Sequence, residues 1–156
     1  MGIRTLAELL RVVAEHDLPQ CLLHKVDGAW RAVSAAELRR RVRGLATTLD
    51  RWGVRPGDRV ALMAENGVHW PVVDFATVAL GAVTVPVYST LLPEGAAYVV
   101  RDSGAKVAFV QGSVRLRGLR ELAASLPAVE RWVVIGSEAP EGAVEFTGRR
   151  LVAPFS

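Results

Sequence analysis

The chain has 156 residues, one domain's worth of sequence, and 51% hydrophobic against 22% charged residues argues against extended disorder. One cysteine, Cys21, excludes a disulfide framework and a multi-cysteine metal site, and suits a reducing cytoplasm. Nineteen basic and sixteen acidic residues leave a net charge of +3, too small a surplus for a dedicated nucleic-acid binder.

Thr5-Leu6-Ala7-Glu8 is a capping-box pattern, and Leu6, Leu9, Leu10 and Val13 follow at helical spacing, which predicts a helix over about 6–16. The uncharged run there is too short, and Glu8 interrupts it, so no secretory leader is expected. Residues 21–26 and 29–33 flank Asp27-Gly28, the signal of a small two-stranded hairpin. Ser34-Ala35-Ala36-Glu37 is a second capping box. It opens a helix over about 35–51 with Leu38, Val42, Leu45 and Leu49 on one stripe, stopped at Gly53. Arg55-Pro56-Gly57-Asp58 reads as a tight turn.

The pattern then changes to alternating strand and helix. Strands are expected at 59–64, 82–87, 106–110 and 131–135. Helices are expected at 69–80, with Asn66 as its cap, at 94–102, opened by Pro93, and at 115–125, with Leu116, Leu119 and Leu122 on one side. The most apolar stretch, 68–88, contains His69, Asp74 and two prolines, so it is read as a buried helix and a buried strand rather than a membrane span. Continuous apolar strands alternating with helices call for an α/β fold: a mostly parallel sheet with helices on both faces. The expected division is an α/β unit over 1–135 and an irregular tail over 136–156, where no periodicity is visible.

Few residues propose chemistry. The βα turns Glu65-Asn66-Gly67 and Tyr88-Ser89-Thr90-Leu91-Leu92-Pro93 lack the glycine pattern of a dinucleotide fingerprint and the lysine of a phosphate loop. They read first as connectors, with a ligand contact near 88–92 as the sharper alternative. His16, His24 and His69 form no close pair with each other or with the cysteine in sequence, so no metal site is expected. Cys21 and His24 lie three apart on a hairpin strand and should point to opposite faces, which disfavours a nucleophilic thiol. Arg39, Arg40 and Arg43 fall opposite the apolar stripe of their helix and Arg41 flanks it. A solvated face is expected, with protein or acidic-lipid contact as the alternative. Glu65, Asp74, Glu94 and Asp102 have no visible acid–base partner. Trp30, Trp52, Trp70 and Trp132 are expected to pack, the ring of Trp70 covering strand ends.

Taken together in order, Asp27-Gly28-Ala29-Trp30-Arg31, residues 34–38 and the run Gly53-Val54-Arg55-Pro56-Gly57-Asp58-Arg59-Val60-Ala61-Leu62 resemble the opening of an AMP-forming acyl-CoA synthetase. Asn66-Gly67-Val68-His69-Trp70, Gly81-Ala82-Val83-Thr84-Val85-Pro86-Val87-Tyr88-Ser89-Thr90-Leu91 and Asp102-Ser103-Gly104-Ala105-Lys106-Val107 continue the likeness. Pro86-Val87-Tyr88-Ser89-Thr90 points to the long-chain fatty-acid branch.

The resemblance covers roughly 20–135 and implies an incomplete portion of the large N-terminal domain of an adenylate-forming enzyme. The implied reaction forms an acyl-adenylate and pyrophosphate from a fatty acid and ATP, then an acyl-CoA, with magnesium on the phosphates. The phosphate loop, adenine motif, ribose-binding aspartate and catalytic lysine of that family lie downstream. No catalytic, cofactor-binding or metal residue is therefore placed here, and the 156-residue chain alone is expected to be inactive. The implied partners are the remainder of the ligase, fatty acid and CoA, with a homodimer and peripheral contact with the inner membrane face as family-level hints. Apolar surface left for the remainder would favour self-association. Two other classes stay open: a non-catalytic α/β module that binds a partner protein, and a small nucleotide-binding α/β protein.

Overall fold

A computed structural model describes residues 4–148 and 151–152. Helix α1 spans Leu6–Glu15, and Thr5 caps it by accepting from the Glu8 amide at 3.1 Å. Strands β1 (Leu22–Val26) and β2 (Ala29–Val33) form a two-stranded antiparallel hairpin of their own, turned by Asp27 and Gly28 with positive φ. Helix α2 spans Ala35–Arg51, capped by the Ser34 hydroxyl on the Glu37 amide, and buries Leu38, Val42, Leu45 and Leu49 as the stripe predicted.

The rest of the chain builds a six-stranded sheet. It contains β3 (Arg59–Met63), β4 (Val83–Val87), β5 (Val107–Gln111), β6 (Arg131–Ile135), β7 (Val144–Phe146) and β8 (Leu151–Val152), in the order β4-β3-β5-β6-β7-β8. All pairings are parallel except that of β7 with β8. Helices α3 (His69–Ala79), α4 (Pro93–Ser103) and α5 (Ser113–Glu121) make the crossovers. The central strands are apolar throughout because both sides are covered. Val60 and Leu62 of β3 pack with α2 and α3, whereas Ala61 and Met63 pack with α4 and α5. The chain steps from β3 to one side for β4 and to the other for β5, so α3 lies on one face and α4 and α5 on the other. The carboxyl ends of β3 and β5 are therefore the switch point, where open α/β sheets hold ligands.

Lys106 ties the amino end of the sheet. Its Nζ donates to the Gly53 carbonyl at 2.8 Å and lies 3.5 Å from Asp58 Oδ2, which also accepts from the Arg55 amide at 2.8 Å. That amide first, and Lys106 second, hold the Asp58 carboxyl below its usual range against the opposing effect of burial.

Four expectations are corrected. Asn66 does not cap α3. Val68 is already helical at the N-cap, and the Trp70 amide bonds the Gly67 carbonyl, so the helix starts on backbone alone. The strand at 82–87 is not buried throughout, because β4 is the sheet edge: Val83 is 49% exposed, and Pro86 sits where an edge tolerates it. The helix expected over 115–125 ends at Glu121 and continues as a 3-10 turn, Ala123–Ser125. Within the stretch expected to be irregular, β7 and β8 extend the sheet, and Phe146 is buried edge-on against Phe109 with ring centroids 5.9 Å apart. Residues 149–150 and 153–156 of that stretch lie outside the described residues.

Candidate functional site

At the carboxyl ends of β3 and β4 a cleft of about 650 Å³ is lined by Ala64, Glu65, Asn66, Trp70 and residues 86–89. Trp70 closes one wall. Its indole Nε1–H donates to the Ala64 carbonyl at 3.2 Å, so the ring covers the end of β3 as expected. Tyr88, 81% exposed, and Ser89 also line it, so the turn after β4 borders an open cleft. This volume falls in the range of small-molecule sites.

The switch point lies next to it. The Gln111 carbonyl oxygen Oε1 accepts from the Glu65 amide at 2.7 Å, and the Arg115 guanidinium meets Glu65 Oε1 at 2.8 Å. Glu65 thus has a cationic partner that local spacing could not reveal. His69 gives its Nε2–H to the Glu65 carbonyl at 2.9 Å, and burial holds its imidazole below the ordinary histidine pKa.

The other candidates separate. Cys21 is half-buried against the core, while His24 lines a different cleft. Arg39, Arg40 and Arg43 are exposed. Arg41 is 11% exposed and donates from Nε to Glu37 Oε1 at 2.7 Å, while Arg40 also pairs with Glu37. Glu37 is accordingly held below its usual pKa, first by the bond from Arg41, against burial and with help from Arg40. Asp74 is half-buried on α3, whereas Glu94 and Asp102 are exposed on α4. Trp52, Trp70 and Trp132 pack against the core clusters, but Trp30 is 65% exposed, with the Lys25 Nζ 5.3 Å from its ring centroid.

Among the described residues no three histidine, cysteine or carboxylate side chains gather. The turns after β3 and β4 likewise carry no glycine-rich loop for ATP phosphates. Among the described residues no helix is long and apolar enough to cross a membrane.

Residues 13–152 match the family described as AMP-binding enzyme. The chain belongs to that family, within the adenylate-forming acyl-CoA ligase superfamily. The chain is similar to the long-chain-fatty-acid–CoA ligase FadD15 of Mycobacterium bovis, 35% identical over 128 residues, which are 81% of this chain and 21% of that protein. The 4-coumarate–CoA ligase-like 5 of Oryza sativa subsp. japonica is 37% identical over 126 residues, 79% of this chain and 21% of that protein. The fold agrees. The anthranilate CoA ligase AuaEII in complex with anthranoyl-AMP superposes with a TM-score of 0.79 at 26% identity, over 88% of this chain and 26% of that one. Acetoacetyl-CoA synthetase from Streptomyces lividans gives 0.76 at 29% identity, over 89% and 24%. The chain thus spans about a fifth of the length of the curated family members it matches.

Proposed function

We propose that this chain is the opening part of an ATP-dependent ligase that activates a long-chain fatty acid. The α/β unit would run on through β7 and β8 of the same sheet before leading into the remainder. The observation that carries the reading is the family match over residues 13–152, supported by 35% identity to FadD15 across 81% of the chain. In the proposed reaction a carboxylate oxygen attacks the α-phosphorus of ATP, the bond to pyrophosphate breaks, and a mixed anhydride forms. The sulfur of coenzyme A then attacks the acyl carbon and AMP leaves. Magnesium, ATP and coenzyme A would be held by residues beyond this chain.

In this reading the part described here supplies scaffold: a parallel sheet whose carboxyl ends face the reaction. The setting is cytoplasmic, with the apolar substrate taken at the inner membrane face and a homodimer as the assembly.

The test is carboxylate-dependent exchange of labelled pyrophosphate into ATP by the complete product of the gene. Palmitate, 4-coumarate and anthranilate are offered in turn. Palmitate is expected to drive exchange at least about tenfold faster than the aromatic acids, a difference a long apolar pocket readily supplies. Faster exchange with an aromatic acid would remove the long-chain assignment and leave the ligase chemistry. No exchange with any acid would remove both.

A further inference from the structure

Among the described residues, no other strand joins the β1–β2 hairpin. Its register puts Leu22 and Val33 on one face and Leu23, Lys25, Trp30 and Ala32 on the other. Leu22 and Val33 pack into the core, so the second face looks outward. There Leu23 is 55% and Trp30 65% exposed, and Lys25 and Ala32 are exposed as well. A hairpin with one solvated face ordinarily turns apolar residues inward and polar ones outward. Here both faces carry apolar side chains, which is the composition of strands covered on both sides. The charge on the outer face, Lys25, has its Nζ 5.3 Å from the centroid of the Trp30 ring.

The edge of the hairpin is bare too. Its turn has two residues, so Val26 and Ala29 form a hydrogen-bonded pair, and bonded and non-bonded pairs alternate from there. The backbone groups of Trp30 and Ala32 therefore point out of the hairpin along β2, where no described strand meets them. Leu23 also borders a cleft of about 650 Å³ that Val68 and Ile135 line, so the apolar face continues onto the rim of the core.

We infer that this outer face is the docking surface for the remainder of the polypeptide, which lays an apolar surface on Leu23, Trp30 and Ala32. The inference rests on the reading above that the chain opens a longer ligase. The family match over residues 13–152 takes in the hairpin, and the chain spans about a fifth of the curated family members it matches. The larger share of such a protein is therefore at hand to cover the face. A second copy fits less well. Separate chains that associate stably bury about 800 Å² each, whereas two five-residue strands offer four side chains here. A covalently joined segment needs less area, because the tether sets its effective concentration.

The test places a thiol on the face with Ala32→Cys, a small change at an exposed position. The complete gene product and the 156-residue chain are each treated with N-ethylmaleimide under native conditions. Labelling is read by mass spectrometry on the tryptic peptide that follows Arg31. Residue 32 is expected to react at least about tenfold more slowly in the complete product, where it is reached only by local opening. Adding Trp30→Ala to the complete product should speed labelling at least about threefold by loosening the cover, and Arg39→Ala, at an exposed position on α2, should not. The inference is overturned by equal rates in the two proteins, or by Trp30→Ala acting no differently from Arg39→Ala. It is also overturned by slowing that vanishes when the complete product is diluted to monomers, since a second copy then supplies the cover. Labelling requires no activity, so this surface and the ligase reading, which pyrophosphate exchange reports, fail separately.

Discussion

Glu37 performs two tasks from one position. Its amide closes the cap of α2 on Ser34, and its carboxylate holds Arg41 at a nearly buried site. Because the folded state lowers its pKa, the unfolded chain binds the proton more readily. The stability from this pair is therefore present above about pH 4.5 and lost as pH falls through the folded value. Asp58 behaves the same way below its ordinary 3.8. His69 also has a lowered pKa, so its contribution is complete above 6.5 and declines on acidification below that. Denaturant titrations from pH 7 to 3 should show a falling midpoint, and Glu37→Gln should flatten the acid part of that fall. Arg41→Ala should cost about 1–3 kcal/mol, since it leaves a partly buried carboxylate without its main donor.

Glycine is required at Gly81. There φ is +70°, and an added Cβ would meet Pro56 Cβ at 3.2 Å in the turn before β3. Gly57, at φ +84°, has open space around it. Gly81→Ala should therefore cost more than Gly57→Ala, which carries only the conformational penalty of about 1–2 kcal/mol. Thermal melts of the two variants compare them directly.

At the scale of elements, stability is unevenly spread. Helix α2 lays Leu49, fully buried, into the core with β3 and α3, so Leu49→Ala should cost about 2–5 kcal/mol, read by urea unfolding. The β1–β2 hairpin pairs only within itself, and β2 is exposed along four of its five residues. A lone hairpin is marginal in water. Amides of 22–33 should therefore exchange with deuterium far faster than those of β3 and β5, and equal protection would contradict this reading of the hairpin.

The same contrast explains what the sequence made legible. The helices α1 and α2 announced themselves through capping boxes and three- and four-residue spacing. The hairpin did so through Asp27-Gly28, and β3, β5 and β6 through uninterrupted apolar runs. What stayed hidden was relational. Val83 looked like a core residue because an edge strand and a central one share the same composition, and position in the sheet decides exposure. Phe146 sat in a three-residue strand, too short for any periodicity to register, yet it is among the largest buried side chains.

For the molecule as a whole, the parallel sheet brings distant turns to one end. Glu65 and Gln111 meet there, Glu65 acquires Arg115, and Tyr88 and Trp70 come to line one cleft. None of these pairs is close in sequence, so spacing could not find them. The family was legible because its signature is a series of local turns and strand ends in fixed order, including Arg55-Pro56-Gly57-Asp58 and Pro86-Val87-Tyr88-Ser89-Thr90. Among the described residues there is neither a cluster of three metal-ligating side chains nor a glycine-rich phosphate loop, and the reading of these residues as scaffold, with the reaction in the remainder, belongs to the function proposed above.

That division is tested most directly by mass-spectrometric detection of palmitoyl-adenylate after incubation with palmitate, ATP and magnesium. The 156-residue chain and the complete gene product are compared at equal concentration. The adenylate is expected with the complete product and not with the 156-residue chain. Adenylate formed by the 156-residue chain would contradict the proposed division, because the chemistry would then have to reside within these residues.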